Sequence, residues 1–213
     1  HYDSAVVQDT SNLGGFDVLI LPDTVVLTPS LRGRLMAYLA AGGRVIASYQ
    51  SLLRGEALGP LEAYFPVRVR GETRLYPTFW RARPHLSKAL AESDRVIYSA
   101  GLDVSLAPGV GWTTLIDRVE PYFKRSDEKF CSHFHTPPVK LPAAHAAVMG
   151  SDQVLYFADP VFREYRQTGN TAIGEAISLL LRRFAGPPLV GDGLPPSVQV
   201  YPRRRGKDLI VTL

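Results

Sequence analysis

Three side chains that bind metals alternate along one short stretch, Cys131-Ser132-His133-Phe134-His135. On an extended strand alternate residues share a face, so Cys131, His133 and His135 would project together. A thiolate and two imidazoles are good zinc ligands, and His145 or Asp159 would have to complete the set. The expected cofactor is therefore none, or zinc if these residues converge. Asp23 and Asp159 offer a second chemistry. Both follow apolar runs, where the carboxyl ends of parallel strands would set them with Tyr49 around a cleft. Paired acids across a cleft hydrolyse glycosidic bonds, and such a cleft would also suit a carbohydrate-binding module. Acids at strand ends equally serve as turn formers and helix caps. The third candidate is Tyr49-Gln50-Ser51, directly after the apolar run Val45–Ala47. A sharp turn there would expose a nucleophile. A tyrosine, with an ordinary pKa of about 10, attacks acyl groups poorly unless a strong base adjoins it.

The elements that must position these residues are legible around residues 17–53. Val18 to Leu21 is a continuous apolar run ended by Pro22, which suits a strand buried on both faces. Thr28 is placed to cap a helix with Pro29 at its first position. Leu31, Leu35, Tyr38 and Leu39 then fall on one helical face. Gly42-Gly43 supplies the stop, and Val45 to Ala47 the next buried strand. A strand, helix and strand at this spacing form a right-handed parallel crossover.

Beyond that unit the pattern predicts further strands at Tyr2 to Val7, around Val67 and Val69, within Leu75 to Trp80, at Val96 to Ala100, Val104 to Leu106, Thr113 to Val119 and Phe130 to His135. Pro84 to Ala91 reads as a short helix. Ala144 to Met149 and Val154 to Ala158 read as a hairpin turning at Gly150-Ser151-Asp152. Thr171 to Phe184 is an amphipathic helix with Ile173, Ile177, Leu180, Leu181 and Phe184 on one face. Val198 to Tyr201 and Leu209 to Leu213 read as a second hairpin joined by Pro202 to Asp208, whose Arg203-Arg204-Arg205 and Lys207 form a solvated basic turn.

Composition narrows the classes. Lysine and arginine exceed the acids by 24 − 20 = 4, and the positive residues are scattered, which argues against a nucleic-acid partner. No apolar run reaches the roughly 20 residues of a membrane-spanning helix, and no signal peptide is visible. The single cysteine excludes an internal disulfide and suits a reducing, cytoplasmic compartment. The chain opens and stops inside strand-like runs, the expectation for an excised piece of a longer protein.

Two resemblances follow from these residues. Val45 to Leu53 (VIASYQSLL) resembles the nucleophile elbow of class I glutamine amidotransferases, with Tyr49 in the cysteine position and Ser51 in place of the elbow glycine. The family's histidine would fall at Ala158-Asp159-Pro160, which has none. Residues 19–51 further resemble the trimerisation domain of bacterial β-galactosidases, and residues 130–138 and 154–184 resemble a related group of glycoside hydrolases of the same plan. The resemblance implies an α/β, flavodoxin-like, class I glutamine amidotransferase-like three-layer sandwich with a mostly parallel central sheet. That domain would occupy residues 1–189, and residues 190–213 would begin a C-terminal β domain or hairpin extension. The implied role is non-catalytic: assembling a homo-oligomer, a trimer in the family, and completing the rim of an active site in a (β/α)8 barrel of the same protein. A divergent hydrolase or metal-binding domain using Cys131, His133 and His135, or a carbohydrate-binding module, are the alternative readings.

Overall fold

The computed structural model describes the chain except for residues 1, 3, 9, 108–110, 134, 189–197, 199 and 213. The apolar run after Asp17 forms β1 (Val18–Leu21) and is followed by α1 (Pro29–Ala40) and β2 (Arg44–Ser48). Thr28 is the cap, its hydroxyl accepting from the Leu31 N–H at 3.1 Å. Gly42 takes φ 90°, a left-handed conformation that a side chain would strain. β1 and β2 pair in parallel.

Next come β3 (Val67–Glu72), β4 (Thr78–Ala82), α2 (Lys88–Ala91), β5 (Arg95–Ile97), β6 (Leu102–Leu106) and β7 (Thr113–Val119). The chain continues through β8 (Ala146–Gly150), β9 (Val154–Phe157), α3 (Val161–Thr168) and α4 (Thr171–Ala185), and ends with β10 (Tyr201–Arg205) and β11 (Asp208–Thr212). The central sheet has seven strands in the order β1-β2-β9-β8-β7-β4-β5, and β3 with β6 forms a separate two-stranded ribbon.

Alternation sorts the sheet residues into two cores. Val45, Ala47, Val154 and Tyr156 face α1, where Leu31, Leu35, Tyr38 and Leu39 are buried. Ile46, Leu155, Phe157 and Val148 face α4, where Ile173, Ala176, Leu180 and Phe184 are buried. Helix, sheet and helix are the three layers of the expected α/β sandwich. Five of the seven strands (β1, β2, β9, β7, β5) point one way. β8 and β4 are reversed between them, so direct parallel pairing is confined to β1-β2-β9.

Several local expectations are corrected. Phe130 to His135 is not a strand; its described residues are bends and coil within the connection between β7 and β8. Among the described residues no strand pairs with this stretch, and alternation without a partner does not make a strand. The described residues from Tyr2 to Gln8 likewise form no strand. The helix expected over residues 84–91 is confined to α2, capped by Ser87. Arg203-Arg204-Arg205 lies inside β10 rather than in the turn, which is made by Gly206 and Lys207. Helix α3 was not foreseen. The boundary expected between residues 189 and 190 lies outside the described residues.

Candidate functional site

The carboxyl ends of β1, β2 and β9 meet at Asp23, Tyr49 and Asp159. The positive-φ residues other than glycine among the described residues are Asp23 (46°), Tyr49 (49°) and Leu52 (67°), and all three lie at this end. A bulky side chain in that conformation is costly, and such strain collects where surrounding contacts over-determine the backbone. Here the contacts are visible. The Tyr49 N–H donates to the Phe157 carbonyl at 2.8 Å, and the Tyr49 carbonyl accepts from the Tyr156 hydroxyl at 2.6 Å. Ser51, fully buried, accepts from the Val25 N–H at 3.0 Å. The chain therefore turns sharply at Tyr49-Gln50-Ser51, with no glycine in the turn.

The Tyr49 side chain is 8% exposed. Its hydroxyl donates to Glu72 Oε1 at 3.3 Å, and the Arg163 guanidinium sits 5.6 Å above its ring. Burial, and then the Glu72 carboxylate, push the phenol above its ordinary pKa, against the opposing pull of Arg163. A phenol held neutral beside a carboxylate is a poor nucleophile.

Asp23 joins the elbow to helix α3. Its Oδ1 accepts from the Ser48 hydroxyl at 2.6 Å and its Oδ2 from the Arg163 N–H at 2.7 Å. Pro160 stands at the α3 cap position and offers no side-chain hydrogen bond, so Asp23 caps α3 from 140 residues away in sequence. Its chemistry is that of a cap.

Asp159 is fully buried and points elsewhere. It accepts from the Trp80 indole at 2.7 Å and from Arg118 Nη2 at 2.6 Å. Arg118, with a side chain 1% exposed, also donates to Thr73 Oγ1, the Leu102 carbonyl and Asp103 Oδ1. Burial raises the Asp159 carboxyl, while Arg118 and Trp80 oppose the rise. Gly101 seals the pair: a Cβ there would stand 2.0 Å from Asp159 Oδ1 and 2.7 Å from Arg118 Nη2. Asp23, Tyr49 and Asp159 thus share one end of the sheet, but their side chains serve separate networks. Nothing in the sequence pattern singled out Arg118, Glu72 or Arg163.

The Cys131 region is assembled differently from the strand expectation. Cys131 Sγ lies 3.4 Å from the His133 carbonyl and 3.8 Å from the His135 carbonyl, within its own loop. The His135 ring packs on Tyr98, with centroids 5.1 Å apart. His145 Nδ1 is 3.0 Å from the Val104 carbonyl, and Asp159 is committed to Arg118. Among the described residues, no group of three or more histidine, cysteine or acidic side chains is placed to hold a metal.

This architecture defines an α/β domain of the kind that glycoside hydrolases carry within longer chains, as the sequence resemblance implied. An α-L-fucosidase from Paenibacillus thiaminolyticus superposes with TM-score 0.71 and 30% identity, over 84% of this chain and 26% of its own. A β-galactosidase from Rahnella sp. R3 matches with TM-score 0.65 and 17% identity, over 96% of this chain and 28% of its own. A β-galactosidase from Bacillus circulans sp. alkalophilus matches with TM-score 0.61 and 14% identity, over 95% and 27%. The chain spans about a quarter of the length of these structures. No family model and no curated protein sequence matches it.

Proposed function

We propose that the chain is a non-catalytic accessory domain of a glycoside hydrolase, β-galactosidase-like in plan. It assembles subunits into a homo-oligomer and shapes the rim of the active site in a neighbouring (β/α)8 barrel of the same protein. The observation that carries the reading is the elbow. Its strained backbone is retained, yet it presents Tyr49, a neutral, hydrogen-bonded phenol, and the position of the family's histidine holds Asp159 locked to Arg118. The matches to a quarter of each hydrolase support a domain that works inside a larger chain.

The test has two arms. Purified chain is assayed for hydrolysis of amides and aryl glycosides, and its mass is measured by light scattering. The expected results are no turnover and a multiple of 23.4 kDa. Turnover abolished by Tyr49→Phe would overturn the non-catalytic reading, and a strict monomer would overturn the assembly role.

A further inference from the structure

We draw no further inference here: the strongest candidate, the open hollow of about 500 Å³ at the amino ends of β1 and β2 beside Leu13, Phe16, Asp17, Arg34 and Tyr38, is lined by more polar than apolar surface, and nothing in the structure shows what fills it.

Discussion

Replacing Arg118 by methionine is the most informative single perturbation of the fold. The guanidinium donates at 2.6 to 3.0 Å to Asp159, Thr73, the Leu102 carbonyl and Asp103, and its side chain is 1% exposed. Methionine fills similar volume but leaves the Asp159 carboxylate buried with the Trp80 indole as its remaining side-chain donor. Breaking a buried pair in this way costs about 3–5 kcal/mol. For a domain of this size that is a fall in Tm of about 6–20 °C.

The loss must also depend on pH. Burial already raises the folded-state pKa of Asp159 above its ordinary 3.8. Without Arg118, which opposes that rise, the folded value climbs further. For a carboxyl raised on folding, the native state holds the proton more tightly than the unfolded chain. Stability is therefore greatest below pH 3.8 and falls as pH rises through the folded pKa. Thermal melts of both proteins from pH 5 to 8 should show the gap between them widening with pH. Arg118→Met with Asp159→Asn, which removes the charge, should recover a large part of the loss at pH 8. A gap below about 1 kcal/mol, the scale of an exposed pair, or one constant across pH, would refute the buried-pair account.

Three further outcomes follow from the site. Gly101→Ala should cost about 1–3 kcal/mol in chemical denaturation, because its Cβ would collide with both members of the Asp159–Arg118 pair. Asp23→Ala should destabilise by about 2 kcal/mol, combining a lost α3 cap with a strained φ of 46°, whereas Asp23→Asn, which tolerates that φ, should cost less; equal losses would contradict the strain argument. Tyr49→Cys should bring no amidase activity in a hydrolysis assay, because Asp159 is bound to Arg118 and Trp80 and offers no base to a thiol.

How much of this was legible in the sequence depended on whether the determining contacts were local. The β1-α1-β2 unit was readable because its cap, proline, apolar stripe and glycine stop all lie within the segment. α4 was readable for the same reason. α3 was not, because its first residues follow a proline and its cap is Asp23, supplied from the far end of β1. The alternation at residues 130–135 imitated a strand, but strand formation depends on a neighbour, and among the described residues none pairs with it. The turn after β2 was legible as a turn, and Tyr49 within it takes a positive φ of 49°. Its stabilisers were not, since Tyr156, Glu72 and Arg163 approach Tyr49 only through tertiary packing. Arg118 and Asp159 lie 41 positions apart, and only the sheet order brings them together.

The proposed role, contact between subunits rather than catalysis, rests on oligomer formation. Sedimentation equilibrium of the chain, alone and fused to a glycoside hydrolase barrel as proposed, tests this most directly. Both should be oligomers of the same subunit number, with the chain at a multiple of 23.4 kDa. Two monomers would contradict it.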